Sequence, residues 1–258
     1  MKQQFVAARA ASGVGKSAGS ASMRKVHRHS LATRLWHWAN VATMAIMLMS
    51  GLMIFNAHPR LYWGHYGANP DPAWLDWSGG DGIPFPGWIT LPSFYSLADA
   101  RLWHLAFAWA FAALVAGYLV WAGLSGHLRR RIAPRLHELA PAHLLREAAA
   151  HARLRFAPEA GYNTFQKLTY GAVLLVLLPG MVLTGLGMSP AIDAGYPGLV
   201  DLLGGRQSAR SLHFIGMALL AAFFAVHTAM VLASGLLGQL RAMVTGWQRI
   251  PAEGEGQA

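Results

Sequence analysis

The chain contains no cysteine. That absence excludes covalently attached c-type haem, thiolate-ligated iron–sulfur clusters and disulfides within it, so a redox group would have to be held by histidine or without covalent bonds. Charge is also scarce: 12% of the residues are Asp, Glu, Lys or Arg, against about 25% in an ordinary soluble domain. Acids are scarcer than bases, 11 against 21. From Leu212 to Gly238 there is no Asp, Glu, Lys or Arg at all.

What fills the space is hydrophobic, 54% of the 258 residues. A run of about 20 apolar residues crosses the hydrocarbon core of a bilayer. Four such runs are present, at about Leu35–Phe55, Leu102–Leu124, Leu168–Met188 and Leu212–Gly238. A soluble domain of this size has no need of four. The fold class expected is an all-α membrane protein, a four-transmembrane-helix bundle over residues 26–247. Residues 1–25 are rich in Ala, Ser and Gly with scattered Lys and Arg, which predicts a disordered tail. They lack the apolar core of a signal peptide. Residues 248–258 form a short polar tail.

The net charge of +10 would suit nucleic acid, but its distribution argues for topology. Arg24, Lys25, Arg28 and Arg34 precede the first run. Arg129, Arg130, Arg131, Arg135, Arg146, Arg153, Arg155 and Lys167 lie between the second and third, and Arg241 and Arg249 follow the fourth. The other two loops hold mostly acids: Asp71, Asp76, Asp81 and Asp99 in one, Asp193 and Asp201 in the other. The alternation follows the positive-inside rule with both termini cytoplasmic. The partner this implies is the lipid bilayer, with no nucleic acid.

The outer loop, residues 56–100, holds Trp63, Trp74, Trp77 and Trp88 among six prolines. It reads equally as an aromatic belt on the headgroups and as a docking surface for an external protein. In the basic loop, Pro141 to Arg155 reads as an amphipathic helix lying in the interface. The third run carries Pro179 and several glycines but no histidine or charge, and is expected to complete the bundle without binding metal. Gly117, Gly171, Gly180, Gly185 and Gly216 permit close helix approach.

Twelve histidines are present, and His37, His104, His213 and His227 fall within the apolar runs. Ionisable groups at membrane depth are costly and mark functional sites by default. His213 and His227 are fourteen residues apart, about four helical turns or 21 Å, on nearly one face. Following the topology, His104 and His213 lie near the outer side, His37 and His227 toward the cytoplasm. Each pair draws on two helices, as cofactor sites in bundles do. A structural zinc site needs four ligands at one point. Ligands split between two depths, two per depth, suit two haem groups with bis-histidine iron: electron transfer across the membrane without an open coordination position.

Arg-Leu-Trp-His occurs at Arg34–His37 and at Arg101–His104, and Arg210 stands three residues before His213. Residues i and i+3 share a helix face. Arg34, Arg101 and Arg210 therefore read either as partners for haem propionates or as snorkelling anchors at the span ends. The bland reading of any one membrane histidine is a packing hydrogen bond across helices; four at matched depths argue against it. His58, His65 and His127 read as interfacial, and His27, His29, His137, His143 and His151 as solvated.

With one histidine early in each of the first two runs and two in the fourth at a spacing of fourteen, the chain resembles a known group over about Val26 to Trp247. That group is the four-helix di-haem cytochrome b subunits of thiosulfate reductases, formate dehydrogenases and nickel–iron hydrogenases, related to bacterial cytochrome b-561. His58-Pro-Arg-Leu-Tyr-Trp-Gly64 is more specifically similar to the thiosulfate-reductase branch, often associated with an exported molybdopterin oxidoreductase. The resemblance implies two haem b, a quinone site near the inner one, and residence in the bacterial cytoplasmic (inner) membrane. Its partner would be a periplasmic oxidoreductase subunit that carries out the catalysis. Asn40, Asn163 and Gln166 are the polar candidates near the inner level, each equally readable as a cap or packing contact. A second function class is a stand-alone cytochrome b that oxidises a small species such as superoxide and reduces quinone. A third is a histidine-lined metal transporter, which would carry no haem.

Overall fold

Four helices are long and apolar enough to cross a membrane: Leu31–Asn56, Leu97–Leu124, Thr164–Gly187 and Arg206–Ala233, here spans 1 to 4. The computed structural model describes residues 23–79, 83–152 and 162–251. Each span begins several residues before the run that hydropathy picks out. At 1.5 Å per residue the helices are roughly 36–42 Å long, against about 30 Å of hydrocarbon. The surplus passes through the headgroup layer, and this places Arg34, Arg101 and Arg210 inside the helices, one turn outside their histidines.

Capping residues fix these starts. The Ser30 hydroxyl accepts from Thr33 N at 3.2 Å at the head of span 1. The Ser96 hydroxyl accepts from Asp99 N at 3.3 Å at the head of span 2, where the Asp99 carboxylate also complements the helix dipole. Asn163 and Gln166 close a capping box on span 3, with contacts of 2.8 and 3.2 Å between side chain and backbone. These two are therefore a helix cap. Span 4 has no side-chain cap. Instead Gln207 N and Ser208 N donate to the Gly64 carbonyl of the outer loop at 3.0 and 3.2 Å.

Span 3 widens into a π turn over Val173–Leu177, just before Pro179. The proline cannot donate to the carbonyl four residues earlier, and its ring crowds that position. Span 4 stops at Ala233 because Gly235 turns left-handed at φ +97°. Residues Leu236–Thr245 form a separate helix, so the run expected to reach Gly238 is broken in its last turn.

The buried centre joins Phe111, Val115, Tyr118 and Ala122 of span 2 to Leu174 and Leu178 of span 3 and Leu220 of span 4. Large apolar side chains such as Trp109, Val120, Leu124, Phe224 and Val226 face outward. That arrangement suits a protein whose solvent is lipid.

The described residues of the outer loop form a cap stapled to span 4. Arg60 and Asp76 pair at 3.1 Å in a two-residue antiparallel ribbon, Arg60–Leu61 with Leu75–Asp76. Trp74 Nε1 donates to Ser211 Oγ at 2.9 Å, and Gly64 N donates to Ser208 Oγ at 2.8 Å. Phe55, Trp77, Phe85 and Phe214 form an aromatic seal beneath.

At the cytoplasmic end, Met23–His27 pairs antiparallel with Trp247–Pro251. The tail boundaries expected at residues 25 and 248 thus fall inside a ribbon, because composition does not register pairing between distant segments. The expected tails at 1–22 and 252–258 lie outside the described residues. The helix of the basic loop covers Pro141–Ala152, with 153–155 outside the described residues. It docks on span 3: the Glu147 carboxylate accepts from Thr164 N and Phe165 N, both at 3.3 Å. His143 Nε2 contacts Thr164 Oγ1 at 2.9 Å, and Lys167 pairs with Glu138 at 2.6 Å. His143 is therefore engaged at a helix N-terminus and not free in solvent. His29 is also part of the packing; burial, then the positive field of Arg28, lowers its pKa to about 4.

Two outcomes are expected. Gly205 stands at φ +102°, and a Cβ there would come within 2.5 Å of the Gly64 backbone. Gly205→Ala is expected to cost about 1–3 kcal/mol, read as a lower midpoint in thermal unfolding of the detergent-solubilised protein. Because the folded protein holds His29 neutral while an unfolded chain protonates it near pH 6.5, stability contributed there falls as pH drops from about 6.5 toward 4. Hydrogen exchange at the segment joining the ribbon to span 1 is expected to quicken over that window, and less so in His29→Gln.

Candidate functional site

Near the outer face the rings of His104, on span 2, and His213, on span 4, stand with centroids 6.3 Å apart and planes 70° to one another. Each ring is seated the same way against the preceding span. His104 Nδ1 lies 3.1 Å from Ser50 Oγ, and His213 Nδ1 lies 2.9 Å from Thr184 Oγ1. The Ser50 hydroxyl donates to the Ile46 carbonyl at 2.6 Å, and that of Thr184 to the Gly180 carbonyl at 2.7 Å. With its proton committed, each hydroxyl oxygen can only accept, which assigns the ring proton to Nδ1 and leaves the lone pair on Nε2. The next residue in each case is a glycine lying against the ring. A Cβ on Gly51 would sit 3.3 Å from His104 Cε1, and one on Gly185 3.6 Å from His213 Cε1.

Neutral imidazoles whose second nitrogen is held by a hydrogen bond are in the form that ligates metals. With metal–nitrogen bonds of about 2 Å to each ring, two imidazoles on one ion have centroids about 6 Å apart. The outer pair has that spacing. Among the described residues no three His, Cys, Asp or Glu side chains gather as a metal cluster, which speaks against a four-ligand structural zinc site.

The two histidines of the inner level are not in ring contact among the described residues. His37 meets Trp38 edge to face at 5.1 Å, and His227 stacks on Phe223 at 5.7 Å. Two buried polar atoms stand without a partner here, His37 Nδ1 and, one turn further along span 1, Asn40 Oδ1. The Asn40 amide otherwise contacts Met44 Sδ at 3.2 Å. Buried polar groups left unpaired in this way are rare and call for an explanation.

The three arginines differ. Arg101 is exposed. Arg210 Nη2 donates to the His58 carbonyl of the outer loop at 2.5 Å, while its side chain lines a cavity of about 660 Å³ with Arg206, Gln207, His65 and Tyr66. Arg34 Nη1 donates to the Val244 carbonyl and its Nε is buried without a partner, so it also ties span 1 to the end of the helix Leu236–Thr245. His58, His65 and His127 lie at the ends of the bundle, as expected of interfacial groups. Burial lowers the pKa of His58 and His127, with help from Arg210 at the first and Arg131 at the second.

Ser50, Gly51 and Thr184 are neither charged nor metal ligands and do not stand out in the sequence as site residues, and Gly185 stands out only as a small residue that permits close helix approach. A signal was present. Hydroxyl-Gly-Leu occurs in both spans 1 and 3, and Ala-Arg-x-x-His occurs in both spans 2 and 4, at Ala100–His104 and Ala209–His213. The bundle is thus two similar helix pairs. Span 3, expected to complete the bundle without binding metal, supplies one of the two seats through Thr184.

The prokaryotic cytochrome b561 family matches residues 28–246 of the chain. A putative protein-methionine-sulfoxide reductase subunit YedZ1 of Azospira oryzae is 32% identical over 204 residues, which cover 77% of this chain and 86% of the relative. No solved structure matches. The protein is a multi-pass protein of the bacterial inner membrane that takes part in electron transfer, in a family that binds haem b. The match runs from the ribbon at one end of span 1 to the ribbon beyond span 4, taking in both helix pairs and the loops between them, and the chain belongs to the prokaryotic cytochrome b561 family.

Proposed function

We propose that the protein holds two haem b groups, one between His104 and His213 and one between His37 and His227, and conducts electrons between the quinone pool and a periplasmic oxidoreductase. The observation that supports this is the outer pair: two rings, each with Nδ1 against a hydroxyl, with centroids 6.3 Å apart, a spacing compatible with one shared metal ion. Haem b held by these histidines would supply one-electron transfer. The chain's own contribution is to orient the rings, exclude water and compensate charge. Arg101 and Arg210 stand one turn outside the outer histidines, where they would pair with propionates. Arg34 has the same relation to His37, with its Nε still unpartnered.

At the inner level His37 Nδ1 and Asn40 Oδ1 support the binding of something further, and a quinone, with two carbonyl acceptors that become donors on reduction, is the class we favour. On the outside, the stapled cap exposes Trp63, Tyr66 and Trp88 and would dock the partner. The relative's description as a reductase subunit supports a partner oxidoreductase that carries out catalysis, of the molybdopterin class if the resemblance of His58–Gly64 holds.

A second reading has its own observation. The 660 Å³ cavity at Arg210 offers a small species such as superoxide access to the outer level, as in a stand-alone cytochrome b that reduces quinone. Trp63→Ala with Trp88→Ala separates the two: loss of a co-purifying partner with haem retained supports the conduit, and oxidation of superoxide by the isolated chain supports the alternative.

A pyridine haemochrome assay on the purified protein is expected to give two haems b per chain, with one lost in His213→Ala and one in His227→Ala. Zero haem overturns the account and favours the histidine-lined metal transporter. One haem in the unaltered chain breaks the pairing.

A further inference from the structure

Span 4 opens with an arrangement of charge that is costly unless an anion sits before it. Arg206 and Arg210 stand four residues apart at the start of a 28-residue helix with no acid in its first turn. Residues i and i+4 share a helix face, and like charges there repel. The positive end of the helix dipole adds to the penalty. Among the described residues neither guanidinium forms an ion pair. The hydrogen bond from Arg210 Nη2 to the His58 carbonyl uses one of the five N–H donors of that side chain.

Both arginines line the cavity of about 660 Å³ at the outer end of span 4, a volume within the range of about 300–1,000 Å³ typical of small-molecule sites. Gln207 lines it beside them. Its Oε1 is shielded from water without a partner, an acceptor that only a donor satisfies. Two carboxylates line the same cavity, Asp71 and Asp193. Asp193 is half-buried, comes from the short helix Pro190–Gly195 between spans 3 and 4, and forms no ion pair among the described residues. Asp71 comes from the outer loop, where its Oδ2 accepts from Ala68 N at 2.7 Å. Positive charge therefore enters the cavity from span 4 and negative charge from the two loops, and neither closes on the other. A cavity that opposite charges line without pairing has room for a molecule bearing both. Its height is that of the headgroups: Arg206 is seven residues before His213, about 10 Å further out along the axis.

We infer that this cavity binds a zwitterion with an oxyanion at one end and a primary ammonium at the other. The oxyanion takes charge-assisted hydrogen bonds from Arg206 and from the remaining N–H groups of Arg210, which relieves their mutual repulsion. The ammonium has three N–H groups to give, and the acceptors in the lining are Asp193, Asp71 and Gln207. Two sources offer that chemistry at this height: the phosphoethanolamine headgroup of a lipid in the outer leaflet, and a free α-amino acid outside the membrane. A phosphocholine headgroup carries the same charges but has no N–H to donate, and a phosphoglycerol headgroup lacks the cation. Once bound, the molecule joins the outer loop, the loop between spans 3 and 4 and the first turns of span 4. The site does not depend on the electron path proposed above.

The test is calorimetric titration of the full-length protein in detergent with phosphoethanolamine, ethyl phosphate, ethanolamine and L-alanine. Arg206→Gln and Asp193→Asn are the variants; Arg210 is left unaltered because of its place beside the outer histidines. Phosphoethanolamine is expected to bind about tenfold or more tighter than ethyl phosphate or ethanolamine. Arg206→Gln is expected to weaken it by about the same factor. Asp193→Asn is expected to erase its advantage over ethyl phosphate while leaving ethyl phosphate binding unchanged. That advantage is a ratio within one protein, so a general loss of stability does not imitate it. Should Arg206→Gln fail to fold, the ratios in the unaltered protein and in Asp193→Asn decide. The source is read from thermal unfolding in bilayers of phosphatidylethanolamine, phosphatidylcholine or phosphatidylglycerol. A higher midpoint in phosphatidylethanolamine than in the other two assigns the site to the lipid, and binding of L-alanine with equal midpoints assigns it to a free amino acid. Equal affinities for phosphoethanolamine, ethyl phosphate and ethanolamine overturn the inference, as does binding of none of the four probes. Ratios unchanged in the variants that fold overturn it as well.

Discussion

An imidazole inside a membrane has to satisfy one nitrogen without spending the other, and the hydrogen bonds from His104 to Ser50 and from His213 to Thr184 do this. Each fixes the ring proton on Nδ1 and turns the ring about that bond. The hydroxyls can accept because each donates to a carbonyl one turn back on its own helix, and the glycine that follows lets the ring approach the backbone. Spans 1 and 3 therefore set the geometry of side chains on spans 2 and 4. Around this level the other outer features fall into place: the aromatic seal beneath the loop, the staples to Ser208 and Ser211, and the Gly64 carbonyl that caps span 4. All of them hold span 4 at the height that sets His213 beside His104.

The inner level is built on a different plan. Its histidines come from spans 1 and 4, and their rings are not in contact. What fastens this end is backbone pairing of Met23–His27 with Trp247–Pro251, together with Arg34 and Trp38 reaching the last helix. An outer level held by symmetric seats and an inner one held by a ribbon suit different work. On the function proposed above, the first would be a fixed relay point, and the second a place where a mobile carrier binds, reacts and leaves.

Much of this was legible in the sequence. Apolar runs of about 20 residues have no alternative to spanning helices, and the asymmetry of Arg and Lys fixes their direction. Histidine positions along the spans group His104 with His213, whose rings meet; the grouping of His37 with His227 is a proposal from position alone. The span ends were less legible, since hydropathy follows the hydrocarbon and helices end where Ser30, Ser96, Asn163 or Gly235 stops them. The outer loop could not be read as a cap, because its ties to Ser208 and Ser211 join residues more than 130 positions apart. Nor could the ribbon at the termini. Ser50 and Thr184 look like small residues eased into a helix; only the coordinates show each hydroxyl against a ring.

The central claim is that each outer ring is a ligand governed by the hydroxyl it touches. A potentiometric titration of the purified protein, followed by haem absorbance, tests it most directly in Ser50→Ala and Thr184→Val. Loss of the hydrogen bond makes the imidazole a weaker donor and so raises the potential of the haem it holds. The account predicts two one-electron components in the unaltered protein, with the same one moved upward in both variants and the other unchanged. A single component in the unaltered protein, or shifts in different components in the two variants, would contradict it.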